Sequence, residues 1–433
     1  MSAPLPRRGQ PVEHDHFAHP RTWLTGDVPG IGGIIRQRPE DFVVEEVPLR
    51  PPAGHGEHFL LFVQKADLTT EQVAHVLCSH FDVPRHAVGF AGQKDRVAVT
   101  RQCFSVHAPG RRLEDFGMIE HEHISVLWAD RHDCKLRRGD LAGNRFVIRI
   151  RGVDPTTAPR AARCLRILEK LGVPNRFGIQ RFGVRHRNHM VGREVFRGRA
   201  QPAIEAMLAP GGPDPHADAW NHFARGEYKH AAAVLPGSFR VERLVLGELA
   251  RGRTPEQALA RVPLSDQGFY VSAFQSAVFN LVLERRLAGG VFSQSLPGDL
   301  LTREDGSEPT LLGEQPDAAL IERVHACELT ASGPLWGVRM PRAGGQVARA
   351  EEEALHAFGM SPEDLDPADK AGILMAGGTR RALRVRLRSP DVEGGLDEHG
   401  AYVRCAFDLP RGAFATEVLR EIMKTTVEEE TDA

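Results

Sequence analysis

The densest chemistry in the 433-residue sequence lies in Val88 to Gln102 (VGFAGQKDRVAVTRQ), where Lys94, Asp95 and Arg96 put one carboxylate between two cations in a short turn. A carboxylate so flanked is held ionised, which suits it to act as a nucleophile or a general base. Gly89 and Gly92 leave that turn room for close backbone approach or positive φ. On these residues alone, a surface turn with solvated charges is the competing reading. A nucleotide P-loop is excluded, because the glycine spacing does not fit G-x-x-x-x-G-K-[ST] and Lys94 is followed by Asp95. Metal chemistry has weaker support. His14, His16 and His19, the run Glu120 to His123 (EHEH), and His55 with His58 have ligand-like spacings but no fixed cysteine or carboxylate partners. With 20 histidines in the chain such spacings are common, so solvated or hydrogen-bonding histidines are the expected reading.

The elements that must position such a turn are legible on both sides of it. Arg36 to Glu46 (RQRPEDFVVEE) and His58 to Gln64 (HFLLFVQ) are apolar runs of strand length. Thr69 and Thr70 precede a stretch with Val73, Ala74, Val76 and Leu77 at helical spacing, which predicts an N-capped helix ending before Pro84. In Arg145 to Arg151 (RFVIRIR), Phe146, Ile148 and Ile150 alternate with Arg145, Val147, Arg149 and Arg151, so a strand would place apolar groups inward and arginines outward. Leu383 to Arg388 (LRVRLR) repeats the device, and the two strands are expected to share a basic solvent face. Late in the chain Val403, Cys405, Phe407 and Leu409 predict a strand, Pro410-Arg411-Gly412 a break, and Ala415, Val418, Leu419 and Ile422 an amphipathic helix. Met1 to Gly30, with five prolines, reads as an extended or loosely docked arm. The stretch from Gly178 to about Arg380 has a different texture, loop-rich with helical runs such as Ser272 to Arg286, and suggests a block inserted into a sheet-containing domain.

Composition sets outer bounds. Hydrophobic residues make up 41% and charged residues 26%, the usage of a folded globular chain. No run approaches the roughly 18 to 20 apolar residues of a membrane span. Six dispersed cysteines without a C-x-x-C pair read as reduced, mostly buried thiols, and the absence of an apolar segment near Met1 leads to the expectation of a cytoplasmic protein. The net charge of −2 hides strong segregation. Arg131 to Arg151 holds seven Lys/Arg against two Asp, and Arg176 to Arg199 holds seven Arg against one Glu. Such patches bind polyanions whatever the total charge.

The segment Ala91 to Gln102 (AGQKDRVAVTRQ) closely resembles the signature of the TruD family of tRNA pseudouridine synthases, and further segments resemble that family's motifs in the same order. These are Arg36 to Glu46 followed by Gly56-Glu57-His58, then Lys135 to Arg151 (KLRRGDLAGNRFVIRIR), Pro174 to Gly183 (PNRFGIQRFG), Ser272 to Asn280 (SAFQSAVFN) and Ala406 to Glu421. The resemblance runs from about Gly32 to Thr426. It implies an α/β (α+β) fold: a pseudouridine synthase catalytic domain with a mixed, largely antiparallel sheet, interrupted by an inserted α/β domain. The expected division is an arm at 1–30, catalytic parts at 31–180 and 381–433, and an insertion at 181–380. Residue by residue, the resemblance makes Asp95 the catalytic aspartate, Lys94 and Arg36 basic residues of the active site, Asn144 and Phe146 the N-x-F pair, and Phe414 the aromatic packing near the target base.

Known members of that family isomerise uridine at position 13 of tRNA. The rearrangement is redox-neutral, so neither metal nor organic cofactor is expected, and Asp95 either attacks C1′ or removes a 2′ proton. The target base must leave its stack, and stacking on Phe146 or Phe414, at roughly 1 to 3 kcal/mol per base, would offset much of that cost. Arg137, Arg138, Arg149 and Arg384 are the expected phosphate contacts. tRNA is the expected partner, with no membrane and no protein partner implied. The rival readings are a non-catalytic RNA-binding protein or RNA chaperone on the same scaffold and, more weakly, a metal-dependent hydrolase.

Overall fold

The computed structural model describes residues 22–208, 215–303, 307, 309–314 and 317–425. Its strands in chain order are β1 (Phe42–Pro48), β2 (His58–Lys65), β3 (Val88–Phe90), β4 (Val99–His107), β5 (Ile124–His132) and β6 (Leu141–Arg151). After these come β7 (Val173–Pro174), β8 (Leu300–Thr302), β9 (Thr310–Leu311), β10 (Thr330–Leu335), β11 (Thr379–Ala382), β12 (Arg384–Val385), β13 (Arg388–Asp397) and β14 (Gly400–Pro410). An eight-stranded sheet has the order β13-β14-β6-β1-β4-β2-β5, with β3 paired to β4. Only β1 and β4 run parallel among its described pairs; the others are antiparallel. The sheet is therefore mixed and largely antiparallel, as expected.

The alternation in β6 does what its pattern predicts on the inner face. Phe146, Ile148 and Ile150 are buried against Val403, Cys405 and Phe407 of β14, and the helices Ala158–Leu171 and Ala415–Met423 cover them with Ala161, Leu165, Leu168, Val418, Leu419 and Ile422. Each such side chain contributes roughly 1.5 to 3 kcal/mol on leaving water. A second core forms where Thr70–Phe81 packs Val73, Ala74 and Leu77 onto Phe59, Leu61, Val63 and Phe104. That helix starts on a Thr69–Gln72 capping box and ends at Asp82 in the left-handed conformation, before Pro84.

Between β7 and β13 the chain leaves this sheet. Helices from Asn188–Phe196 to Leu264–Ala288 form a bundle, followed by the four-stranded sheet β11-β10-β8-β9. Leu264–Ala288 is buried on almost every side, so its apolar residues follow no single stripe. Gly192 allows it to meet Asn188–Phe196 closely, since a Cβ there would run into the Tyr270 carbonyl. Buried Arg176 ties this block to the helix Ala415–Met423 on the eight-stranded sheet by pairing with Glu284 at 2.6 Å and Glu417 at 3.5 Å.

Three expectations are corrected. The outer face of β6 is an ion-pair ladder more than a basic surface. Arg145 pairs with Asp408 at 2.7 Å, its cross-strand neighbour Glu45 takes Arg101 at 2.9 Å, and Arg151 is buried between Asp41 and Asp397. The expected strand Leu383 to Arg388 is broken: β12 holds only Arg384 and Val385, and Arg384 is buried, donating to the carbonyls of Leu171 and Val324 at 2.9 Å each and to Thr330 Oγ1. Its guanidinium holds a loop together and does not face solvent phosphates. Finally, the described end of the arm is docked: Glu421 accepts from the backbone of Leu24 and Thr25, and Arg420 stacks on Trp23. Most of the arm, including His14, His16 and His19, lies outside the described residues.

Candidate active site

The turn carrying Asp95 joins β3 to β4 and is fastened at several points. Thr70 Oγ1 accepts from the Lys94 amide at 2.9 Å and donates to Gln102, whose side-chain amide donates to the Gly92 carbonyl. Lys65, buried at the end of β2, donates from Nζ to the Asp95 carbonyl at 2.6 Å. Gly89 is needed for close approach, because a Cβ there would meet the Leu136 carbonyl; at Gly92 a Cβ would meet only Lys94 Nζ, at an ordinary 3.8 Å, and its φ is not positive.

The cations arrange themselves differently from their sequence order. Lys94 Nζ turns away from Asp95, donating to Asn144 Oδ1 at 2.8 Å and pairing with buried Glu46 at 3.3 Å. Arg96 donates to the Asp67 carbonyl. The partner of Asp95 is Arg36, distant in sequence, whose Nη2 lies 3.1 Å from Oδ2; the aspartate side chain is 58% exposed and the arginine 15%. Burial raises the Glu46 carboxyl above its ordinary range, and the Lys94 charge opposes that rise.

Arg36 is delivered by a chain of local causes. An antiparallel bridge pairs Ile34 with Arg151 through backbone bonds of 2.9 and 2.8 Å. Two residues on, Arg36 takes a φ of 60° and lays its guanidinium over the Phe42 ring, 4.5 Å from the centroid. A left-handed arginine costs energy and persists only where its surroundings impose it. The imposing group is Arg151, held by two bonds of 2.7 Å to Asp41 and two more to Asp397 at 2.8 and 3.0 Å. Asp41 ends a single helical turn that begins at Pro39. The P-E-D-F stretch thus contributes a buried anchor and an aromatic floor, while the exposed Asp95 carboxylate comes from another turn.

Asn144 reaches this site from β6, opposite Leu409 of β14. The turn after β14 closes over it: Arg411 donates to the Gly139 carbonyl at 2.8 Å, and the Gly139 amide donates to the Ala91 carbonyl at 2.8 Å. Phe414, 40% exposed, leads from that turn into the last helix. Phe146 is 7% exposed and packs on Phe407 in the core, so of the two aromatic candidates only Phe414 offers an open face. Arg137 and Arg138 are exposed on the loop between β5 and β6, and Arg149 is half-buried over Tyr402. Lys65, Thr70, Gln102 and Glu46 were missed by sequence reasoning, because each reads there as one polar residue in a strand or at a helix cap.

Of the histidines singled out by spacing, His58 meets His107, with ring centroids 4.7 Å apart, and not His55. Among the described residues one group has ligand atoms close enough for a metal, namely His132, Asp133 and Cys134. Its His132 pairs with His58 at the start of β2, the end of that strand opposite Lys65 and the Asp95 turn. Among the described residues no helix is long and apolar enough to cross a membrane. All six cysteines are free; three are buried, and Cys134 is exposed.

Comparison with known proteins places the chain in a family. Residues 20–422 match the family model described as tRNA pseudouridine synthase D (TruD). A tRNA pseudouridine synthase D from Geobacter sulfurreducens is 37% identical over 94% of this chain and 97% of its own length. One from Chromohalobacter salexigens is 35% identical over 92% and 95%. A crystal structure described as tRNA pseudouridine synthase D (TruD) from Methanosarcina mazei superimposes with a TM-score of 0.79 at 26% identity, covering 94% of this chain and 96% of that one.

Proposed function

The chain belongs to the tRNA pseudouridine synthase D family and isomerises uridine to pseudouridine in tRNA, and from that premise we propose that Asp95 carries the reaction, at position 13 of the tRNA. One observation carries the assignment. In the motif turn the basic groups are consumed in holding the backbone or buried partners, while the Asp95 carboxylate is left 58% exposed on a single 3.1 Å contact to Arg36. A reacting group must be held and also be reachable.

The isomerisation breaks the N1–C1′ bond, forms C5–C1′, releases the C5 proton and leaves a proton on N1. A carboxylate at the sugar begins it either by attacking C1′, forming an ester that the rotated base displaces, or by taking the 2′ proton to give a glycal that later recovers it. Arg36 fixes the carboxylate and can release it to the sugar. Lys94 and Asn144 form the wall beside it, and Phe414 offers a stacking face to the base drawn out of the helix. The steps written here pass through the chain's own side chains, and no cofactor enters them.

Arg137, Arg138 and Arg149 are proposed as phosphate contacts, with Arg384 removed from that set because it is buried. We read 31–180 with 381–433 as the catalytic domain and 181–380 as its insertion, and place the reaction in the cytoplasm. The test is Asp95→Asn, which keeps shape and removes charge. It should melt like the parent, bind tRNA, and lose pseudouridine formation by at least about 10³-fold in single-turnover tritium release from C5-labelled tRNA. Substantial yield from the folded variant would overturn the assignment. A transcript with cytidine at position 13 should release no tritium.

A further inference from the structure

Most buried arginines among the described residues are given an acid, with Arg384, held by carbonyls, apart. Arg151 has Asp41 and Asp397, Arg176 has Glu284, Arg286 has Asp299 at 2.7 Å, and Arg380 has Glu351 at 2.7 Å. Arg381, the next residue, is partly buried and, like Arg384, has no acid among the described residues. It lies over the Phe177 ring with Cζ 4.3 Å from the centroid, and its hydrogen bonds go to Asn175 and, at 3.0 Å, to the Gly412 carbonyl. Arg181 stands against the same ring at 5.5 Å and against Phe269 at 5.7 Å, and Phe269 is 43% exposed. Among the described residues neither guanidinium has a carboxylate partner, and the charge each feels most is the other's or none.

Burial and the Arg181 charge pull the Arg381 guanidinium down to about 10, which leaves it cationic at neutral pH. Two partly desolvated like charges without a counter-ion are held at a cost that an arriving anion would remove. Their place says which anion. Gly412 belongs to the turn that carries Arg411 and Phe414, and Arg411 is joined through Gly139 to Ala91 in the Asp95 turn. Arg381, buried Phe177, Arg181 and exposed Phe269 therefore alternate guanidinium and ring, starting at the turn that leads to Phe414 and running onto the inserted block. Alternating cations and aromatic faces fit a nucleic-acid strand, whose phosphates and bases alternate likewise.

We propose that Arg181 and Arg381 clamp one phosphate of the substrate RNA strand beside the extruded nucleotide, with Phe269 as a stacking face for a neighbouring base. The proposal rests on the tRNA reading above. Arg181 is the residue to test, because among the described residues its guanidinium rests on ring faces and donates no hydrogen bond that would be lost. In Arg181→Gln the tRNA Kd should rise about tenfold, and the slope of log affinity against log salt should shallow by about 0.7 to 0.9, one phosphate contact. The rate at saturating tRNA should stay within about twofold, and Tm should hold or rise, since a repulsion is removed. Arg181→Lys should recover the salt slope, and Phe269→Ala should weaken binding several-fold with no change in that slope. An unchanged Kd and slope in folded Arg181→Gln, or a binding loss that tracks a lowered Tm, would overturn the clamp. Failure of the unaltered protein to bind tRNA at all would instead overturn the functional reading.

Discussion

Arg151 with Asp41 and Arg36 with Asp95 are two arginine–aspartate pairs on the same stretch of sheet, joined by the backbone bridge between Ile34 and Arg151. In the first, the side chains are 3% and 1% exposed and meet in two parallel bonds of 2.7 Å. The second is a single contact at 3.1 Å on a half-exposed carboxylate. An ion pair buried that deeply cannot exchange partners without stranding a charge in the protein interior. An exposed pair contributes little to stability and can open. On the proposed reading one pair builds the site and the other works in it, although both read identically as residue types.

The largest expected effect on stability is at the buried pair. Asp41→Asn leaves Arg151 short of a charge and should destabilise the fold by about 3 to 5 kcal/mol, with activity per folded molecule retained at low temperature. If denaturant melts show less than about 1 kcal/mol, the two pairs are not different in kind. Next comes Arg36→Gln, which should leave the melt within about 1 kcal/mol of the parent and lower the single-turnover rate roughly 10- to 100-fold by freeing the carboxylate from its working position. A destabilised Arg36→Gln with a normal rate would reverse the roles assigned to the pairs. The smallest effect is in pH. Arg151 holds the Asp397 carboxyl at about 2, below its ordinary 3.8. A depressed folded-state value means stability that is present above about pH 4 and is lost as pH falls toward 2. Asp397→Asn should flatten the acid limb of stability between those values, as read from denaturant melts across pH.

The β6 arginines and the Arg181–Arg381 pair extend the lesson. Counting charges along Arg145 to Arg151 suggested a basic face, yet Asp408, Glu45, Asp41 and Asp397 arrive there from other strands. Counting along Arg176 to Arg199 suggested the same, and there Arg181 has no acid among the described residues while Arg176 meets both Glu284 and Glu417.

Local order was legible without the fold. The inner face of β6, the cap at Thr69, the stop before Pro84 and the strand, break and helix from Val403 to Ile422 depend on interactions between residues close in the chain, so periodicity and caps suffice to read them. The motif resemblance located Asp95, Lys94, Arg36 and Asn144, which the fold brings together in one site. What only the tertiary structure decided was partnership. Asp95 is flanked in sequence by two cations and paired in space with a third, 59 residues away, and Arg384 alternates like a surface residue yet is enclosed by backbone carbonyls. A charge's partner depends on which strands lie side by side, and strand order in a mixed sheet is set by the burial of all the cores together, which no local window of sequence contains.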